Sequence, residues 1–443
     1  MIRQILIAAL IFFSGFYAPV FAQDWTECPV ITAKGMIADT GLRLVENGRL
    51  IRPKSDYRTQ YTLQPEARQF WHLFAETLRK RGIKFSFIPI PPRGLRTGFE
   101  AFAPSAYQPE AALASWKKLM RIWRLLNVDV INLLPALRPK GLETAFMRDH
   151  HWSTIAAQAA ALHIAKQLKD ESTLQSLPKE NYSLSHEEIH HIGSYAKQFQ
   201  QKCPQMPPPE FLRQWSAEWQ SDDLFGDAPE AAITVTGASN LNPEFGFTAH
   251  LRHALSLPIN NSGVSGGGFH QGILSVLNHA DPLPYRLLWI LPGYQGDIFK
   301  VSAIHREVLA AAQGRCHTQN AVSEHLAMSE NGTFSITIPR PKENFGALYL
   351  QFAIPRTKDN RLAFRDTQSL KVRITTDKGD HWQHKFLRKR QGLDMFSLPL
   401  PKKLNWQNIK LEFRVKKPAE LKAFLCASRY LTYWPKGIAL ESR

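Results

Sequence analysis

One carboxylate and two imidazoles stand together in the sequence Asp149-His150-His151-Trp152, immediately before a segment with helical periodicity. An Asp next to a His could orient that His as a general base, the same residue types could bind a metal ion, or the cluster could be only a polar first helical turn. Residues i and i+2 of an extended segment point to the same side. We therefore expect Asp149 and His151 to share a face and His150 to point elsewhere.

A nucleophile for such a base is offered by the sequence GASN at 237–240, which follows an apolar run. A glycine at 237 allows a sharp turn, after which Ser239 could project its hydroxyl and offer its own N–H to an oxyanion. Strand-Gly-x-Ser turns are common, so this signal is weak when it stands alone.

A second loop could line the same site. The stretch NNSGVSGGGF at 260–269 is polar and rich in glycine, and it could be a flexible turn. It could also supply oxyanion donors from the side chains of Asn260 and Asn261 or from backbone N–H groups. The candidate backbone donors of this loop are Gly266, Gly267 and Gly268. Asn240 of the GASN stretch is a further candidate.

A competing motif lies in SHEEIHH at 185–191, where His186, Glu187 and His190 satisfy the pattern H-E-x-x-H. On a helix, the two imidazoles would lie one turn apart and could bind zinc, with Glu187 as general base and Glu210 as a further ligand. The first serine of the stretch is typical of a helix N-cap, and a glycine and three prolines follow soon after. We therefore interpret the motif as part of a surface helix with fortuitous spacing.

The elements that must position these residues alternate between helix and strand. Helices are predicted at 67–82 and 110–127, and strands at 83–90, 128–134, 231–239 and 285–291. This alternation predicts an α/β domain with a parallel sheet, and ligand sites of such domains gather at the edge formed by the carboxyl ends of the strands.

The pattern changes near residue 316. Short alternating runs separated by turn residues follow at 332–339, 346–353, 370–376 and 409–415, which is typical of a β-sandwich. We therefore predict an N-terminal domain over 23–315 and a second, all-β domain over 316–443.

Charge is concentrated in that second region. The chain has a net charge of +17, and residues 317–443 hold 23 Lys and Arg against 11 Asp and Glu. Stretches 381–390 and 401–410 mix cations with tryptophan, a combination that suits an acidic polysaccharide, although it could be only a solvated surface. Nucleic acid would fit the charge equally well, but the N-terminal segment indicates export, which argues against a nucleic-acid partner.

The first 22 residues have the features of a cleaved signal peptide: an arginine, an apolar stretch and the sequence Val-Phe-Ala before the expected cleavage site. No later segment is apolar enough to cross a bilayer, so the mature protein is expected to be exported and not membrane-spanning. An oxidising compartment favours disulfides. The pairs Cys28–Cys203 and Cys316–Cys426 would each close a domain, although four cysteines permit three connectivities.

Several of these motifs together resemble those of a known family. The motifs RDHHWS, GASN, NNSGVSGGGF, SDDLFGD (221–227) and PPRGL (91–95) resemble those of the periplasmic alginate O-acetyltransferases of the AlgX type. The resemblance implies an SGNH-hydrolase-like domain with a permuted motif order, followed by a carbohydrate-binding module. It also implies that Ser239 is the nucleophile, His151 the base and Asp149 the residue that orients the base.

The chemistry implied by the resemblance is acetyl transfer through an acetyl-serine, with no cofactor and no metal. The acetyl donor would come from a membrane O-acetyltransferase acting with other exopolysaccharide secretion proteins, and the acceptor would be an alginate-like polysaccharide in the periplasm. Three alternatives stay open: an acetylesterase with the same triad, a zinc metalloprotease, and a non-catalytic polysaccharide-binding scaffold.

The sequence departs from the family at Phe245, where the family has a tyrosine. The candidates for substrate binding are Arg93, which could instead bridge to the protein surface, Tyr294, and four residues of the basic region, Trp382, Lys385, Arg388 and Trp406.

Overall fold

A computed structural model describes most of the chain. The described residues are 26, 28–220, 230–279, 284–316, 321–328, 333–343, 345–353, 369–377, 379, 381–387, 395–400, 407–414, 420–431 and 434. The predicted signal peptide at 1–22 and the SDDLFGD motif lie outside them.

The secondary structure falls into strands and helices with the following bounds. The strands are β1 (Met36–Ile37), β2 (Leu42–Val45), β3 (Arg49–Ile51), β4 (Lys84–Ile90), β5 (Asp129–Val130), β6 (Tyr182–His191), β7 (Glu210–Trp219), β8 (Ile233–Gly237), β9 (Ile259–Gly263), β10 (Arg286–Pro292), β11 (Ala321–Met328), β12 (Thr333–Pro339), β13 (Leu348–Ala353), β14 (Ser369–Thr376), β15 (His381–Leu387), β16 (Met395–Pro399), β17 (Asn408–Arg414) and β18 (Glu420–Ala427). The helices are α1 (Pro53–Asp56), α2 (Pro65–Lys80), α3 (Pro109–Leu125), α4 (Thr154–Leu168), α5 (Ser172–Ser176), α6 (Ser194–Gln200), α7 (Phe247–Leu255), α8 (Gln271–His279) and α9 (Ala303–Ala312).

A parallel sheet with the strand order β5-β4-β10-β8-β9 forms the centre of the N-terminal region. The predicted α/β fold is confirmed, and the carboxyl ends of the five strands lie at one edge of the sheet. The strand predicted at 128–134 is much shorter in the structure, because only Asp129 and Val130 pair with β4.

Helices cover both faces of this sheet. Helices α2, α3, α8 and α9 share an aromatic-rich core with one face, in which Trp71 packs against Phe87 and Trp289. Helices α4 and α7 pack on the other face with the apolar side chains of β4, β8 and β10. Burial of the sheet on both faces explains why its long strands are almost uniformly apolar.

The helix that follows the Asp-His-His cluster begins as predicted but buries a different side. Ser153 is its N-cap and accepts a hydrogen bond from the N–H of Ala156. The periodicity of this segment predicts an apolar side with Ile155, Ala159, Leu162 and Leu168, but the side chains of Ile155 and Leu162 are 48% and 49% exposed. Alanines form the buried side instead, at positions 156, 157, 160, 161 and 165, because small side chains let α4 pack closely against α7.

The stretch with the H-E-x-x-H pattern is a strand and not a helix, so that prediction was wrong. Strand β6 pairs with β7 in an antiparallel hairpin that places His191 opposite Glu210. Residues four apart on a strand are separated by about 13 Å. The rings of His186 and His190 instead contact Trp215 and Phe211 of the neighbouring strand.

The C-terminal region is a sandwich of two four-stranded antiparallel sheets, as predicted. Their strand orders are β11-β18-β13-β16 and β12-β17-β14-β15. Helix α9 ends at Ala312 and β11 begins at Ala321, and the predicted boundary near residue 316 falls between them. Disulfides join Cys28 to Cys203 and Cys316 to Cys426. Within the described residues, no helix is both long enough and apolar enough to cross a membrane.

Candidate active site

Ser239 lies at the carboxyl end of β8, in a turn that requires glycine at one position. Gly237 has φ +157°, and a Cβ atom there would lie 2.0 Å from the carbonyl oxygen of Ile290 on the neighbouring strand. The chain then enters a short 3-10 turn that begins at Ser239. The close approach of two strands at Gly237 therefore fixes the place where the Ser239 hydroxyl leaves the sheet.

His151 joins this hydroxyl to a buried carboxylate. Its Nε2 atom is 2.7 Å from Ser239 Oγ, and its Nδ1 atom is 2.9 Å from Asp149 Oδ1. Because an ionised carboxylate can only accept, Nδ1 carries the proton and Nε2 is free to accept the proton of the serine. This is the geometry of a serine nucleophile, its base and the group that orients the base.

Asp149 is 1% exposed and is held by an unusual number of donors. Burial alone would raise its pKa, but hydrogen bonds from His150, His151 and His191 outweigh burial and hold the pKa of this carboxyl well below its usual value. Asp149 is therefore ionised at neutral pH and can stabilise a positive charge on His151.

His150 does not point away from the cluster, contrary to the expectation from an extended segment. The chain bends at residues 150 and 151, so the His150 ring lies 3.8 Å from the His151 ring, and His150 Nδ1 is 3.3 Å from Asp149 Oδ1. His150 Nδ1 also hydrogen-bonds Ser194 Oγ. Burial lowers the pKa of His150 by more than the hydrogen bond to Asp149 raises it.

Three residues around Asp149 were not singled out in these roles by the sequence. His191 Nε2 donates to Asp149 Oδ2 at 2.6 Å, and Ser194 Oγ donates to Asp149 Oδ1 at 2.6 Å. The carboxylate of Glu210 accepts the backbone N–H groups of Met147 and Arg148 at 2.6 and 2.8 Å. Glu210 therefore fixes the loop directly before Asp149, which is a different role from the zinc ligand considered in the sequence analysis.

Among the described residues, Asp149, His150 and His151 have the spacing that a metal ion would need. Each offers one atom, and these atoms lie within 4.8 Å of one another. These side chains already hydrogen-bond one another, Ser194 and Ser239. We therefore interpret the cluster as an acid–base group.

Arg93 lies beyond the end of β4 and is a buried cation instead of a bridge to the surface. Its side chain is 2% exposed, its Nη1 atom donates to the Leu50 carbonyl at 3.2 Å, and the same atom is 3.7 Å from Asp56 Oδ2. Among the described residues, its Nε and Nη2 atoms have no hydrogen-bond partner. Burial would lower the pKa of Arg93, but Asp56, and after it Tyr195 and Asp149, raise it.

Tyr294 lies beyond the end of β10, at the same edge of the sheet. It is partly buried, and burial and then the charge of Asp56 raise its pKa to about 12. The Tyr294 hydroxyl is therefore protonated at neutral pH and able to donate a hydrogen bond.

Comparison with known proteins identifies the family. The family model described as "SGNH hydrolase-like domain, acetyltransferase AlgX" matches residues 51–292, which is more than half of the chain. The chain belongs to this family. Gly237, Ser239, Asp149 and His151 all lie within the part that matches the AlgX-type domain.

The relatives are distant in sequence. The alginate biosynthesis protein AlgX of Pseudomonas aeruginosa is 24% identical over 262 residues, 56% of this chain and 55% of that protein. AlgX of Pseudomonas putida is 22% identical over 290 residues, 62% of this chain and 60% of that protein. A protein of Pseudomonas fluorescens named "Probable alginate O-acetylase AlgJ" is 26% identical over 180 residues, 38% of this chain and 45% of that protein. The chain thus spans little more than half the length of the AlgX relatives it matches.

Similarity of structure extends further than similarity of sequence. The structure entitled "Structural and functional characterization of Pseudomonas aeruginosa AlgX" covers 91% of this chain and 100% of its own, with a TM-score of 0.76 and 18% identity. This match shows that both regions of the chain have the fold of AlgX.

The residues predicted as oxyanion donors differ in their burial and in their hydrogen-bond partners in this AlgX-type domain. The Asn240 side chain is buried, and its Oδ1 atom has no partner among the described residues. Gly267 donates its N–H to the Val264 carbonyl within its own loop. Gly266 and Gly268 have φ angles of +70° and +60°, and the described hydrogen bonds of these three glycines include none to Ser239.

Asn261 and Asn260 also differ in role. Asn261 Nδ2 donates to the Leu241 carbonyl and to Thr248 Oγ1, so this side chain supports the turn after Ser239. Asn260 is exposed. The Phe245 ring packs 5.0 Å from the His151 ring.

The candidate sugar contacts in the sandwich need one correction. Trp382 is only 5% exposed and packs in the core between the two sheets, so it cannot offer a ring face to a sugar. Alternation along β15 turns this residue inward. Lys385 lies in β15, and Arg388 and Trp406 lie outside the described residues.

Proposed function

We propose that this protein transfers acetyl groups to hydroxyls of an alginate-like polysaccharide, with Ser239 as nucleophile, His151 as general base and Asp149 as the residue that orients it. The observation that carries the proposal is the continuous hydrogen-bond chain from Ser239 Oγ through His151 to Asp149. Membership of the acetyltransferase family and the alginate-related names of the relatives support the choice of reaction and of substrate.

The first half-reaction loads the enzyme. Ser239 Oγ attacks the carbonyl carbon of an acetyl donor while His151 Nε2 takes the hydroxyl proton, and Asp149 stabilises the imidazolium that forms. As the tetrahedral intermediate collapses, the bond to the leaving group breaks and His151 gives its proton to that group. The proposed oxyanion donors are the backbone N–H of Ser239 and an N–H of Asn240.

The second half-reaction transfers the group. A sugar hydroxyl gives its proton to His151 Nε2 and attacks the acetyl carbonyl, and collapse returns the proton to Ser239 Oγ. An acidic sugar would be bound by the excess of cations after residue 316, which we assign to a carbohydrate-binding module over 316–443.

The setting proposed for the reaction is the periplasm, after removal of residues 1–22. Two disulfides and alginate biosynthesis relatives support export. The acetyl donor would be supplied by a membrane O-acetyltransferase of the same secretion system, and the transfer itself requires no cofactor.

Acetyl transfer and ester hydrolysis are separated by the fate of the acetyl group. The purified protein is incubated with p-nitrophenyl acetate and mannuronate oligosaccharides, and acetylated sugar and free acetate are both quantified. We expect the wild-type protein to form acetylated oligosaccharide and correspondingly less free acetate. Ser239→Ala should form neither product above background. Release of acetate alone at saturating oligosaccharide would contradict transfer and identify an esterase.

A further inference from the structure

Besides His150, whose Nδ1 atom is 3.3 Å from Asp149 Oδ1, two imidazoles contact the two oxygens of this carboxylate. Its Oδ1 atom is 2.9 Å from Nδ1 of His151, and its Oδ2 atom is 2.6 Å from Nε2 of His191. A Ser-His-Asp arrangement requires only the first of these contacts. The second imidazole has no role in the reaction as described so far.

The fold builds the segment around His191 directly against Asp149. A Cβ atom on Gly193 would lie 2.2 Å from the Arg148 carbonyl oxygen and 2.8 Å from Cβ of Asp149, so only glycine permits this contact. Ser194, next in the chain, donates to the same carboxylate. The segment 191–194 therefore supplies two side-chain donors to Asp149 from one tight connection between β6 and α6.

Packing fixes the His191 ring in place. It is 8% exposed as a residue, and the rings of Phe146 and Phe245 lie 4.9 and 5.8 Å from it. Because Phe245 also packs on His151, one phenyl ring lies against both imidazoles that share the carboxylate. This shared contact restricts the positions that both imidazoles can adopt.

The ionisable groups that face His191 are mainly acidic. Asp149 contacts it from the loop before α4, Glu244 Oε2 is 4.0 Å from its Nδ1 atom, and Glu210 lies opposite it on β7. His151 lies on the far side of the Asp149 carboxylate. Burial lowers the pKa of His191, but the hydrogen bond to Asp149 and the charges of Asp149, Glu244 and Glu210 outweigh it, so the net shift is upward.

We propose that His191 is a positioning residue that holds Asp149 in place and carries the proton attracted by this acidic cluster, so that its charge opposes a second charge on His151 across the shared carboxylate. Two protonated imidazoles that share one carboxylate repel each other, so binding of a proton at His191 disfavours a second proton at His151. The inference rests on the proposed function, because it assigns His151 the role of base.

The test compares two substitutions at His191 with a matched control. Glutamine places an amide N–H near the position of Nε2 and carries no charge, so His191→Gln keeps the hydrogen bond and removes the proton site. His191→Leu removes both. His190→Gln is the control, because His190 neighbours His191 on β6 but faces the other side, against Phe211.

The first readout is the pH dependence of acetyl-serine formation from p-nitrophenyl acetate. For His191→Gln we expect a plateau within a few-fold of wild type and an acid limb moved to higher pH by about half a unit or more. For His191→Leu we expect a plateau lowered by roughly 10-fold to 100-fold, because the Asp149 carboxylate loses a donor. His190→Gln should match wild type.

Either of two results overturns the inference. An acid limb of His191→Gln that coincides with wild type removes the proton-binding role, and a wild-type plateau in His191→Leu removes the positioning role.

The second readout does not depend on activity. In Ser239→Ala, the ring C–H resonances of His151 and His191 are followed by NMR across the pH range. We expect two transitions at separate pH values. When His191→Gln is added, the transition at higher pH should be absent and the transition at lower pH should move to a higher pH. Failure of wild type to form an acetyl-serine would refute the proposed function, whereas transitions unaffected by His191→Gln would refute this inference alone.

Discussion

Trp152 donates its indole N–H to the backbone carbonyl of Asn240 over 2.9 Å, and this bond joins the loop that carries His151 to the turn that carries Ser239. The two residues are 88 positions apart in the sequence, and Trp152 is fully buried. This hydrogen bond therefore helps to hold His151 and Ser239 at their observed separation of 2.7 Å.

Replacement of Trp152 by phenylalanine tests this bond. Both Trp152→Phe and the control Trp123→Phe reduce a buried indole to a phenyl ring, but the Trp123 N–H has no partner among the described residues. We expect both variants to lose a comparable amount of thermal stability. Only Trp152→Phe should also acetylate Ser239 more slowly, by about 10-fold. Equal rates in the two variants would show that the bond does not position the site.

A methyl group at Gly237 should disrupt the nucleophile turn. Gly237→Ala brings a Cβ atom to 2.0 Å from the Ile290 carbonyl oxygen, so the β8–β10 pair must separate or the turn must move. We expect a loss of about 2 kcal/mol or more in the free energy of unfolding, together with loss of the acetyl-serine.

The control for this variant is Gly296→Ala, where the nearest atom to a new Cβ is the flexible Lys300 Cε at 3.8 Å. Denaturant unfolding of both variants checks the expectation. A Gly237→Ala protein with wild-type stability would contradict the close approach of the two strands.

The charge on His191 also gives a pH-dependent stability. Because its pKa is higher in the folded than in the unfolded protein, its contribution is fully present below the unfolded pKa of about 6.5 and is lost as the pH rises through the folded value. The Tm of wild type should exceed that of His191→Gln by more near pH 5.5 than near pH 8.5. A constant difference across this range would show that His191 does not gain a proton on folding.

Several features could be predicted from sequence because they follow from local patterns. The periodicity of the strands around Gly237 and of the helix after Ser153 indicated a parallel sheet, and the carboxyl ends of its strands meet at one edge. That rule alone brings Ser239 and the Asp149–His151 loop to the same side of the domain.

Other features depend on tertiary contacts that a single sequence does not show. The segment at 182–191 has few apolar residues on either side, so its pairing with β7 decides its conformation. His191 therefore had no visible link to Asp149. Trp382 was placed on a surface because of the cations near it, whereas the alternation of β15 turns it into the sandwich core.

The most direct test of the central claim is the intact mass of the protein after brief exposure to p-nitrophenyl acetate, followed by peptide mapping. We expect a gain of about 42 Da located on Ser239 in wild type, none in Ser239→Ala, and a strongly reduced rate in His151→Ala. An adduct that persists in Ser239→Ala, or a wild-type protein that forms none, would contradict the assignment of Ser239 as the nucleophile.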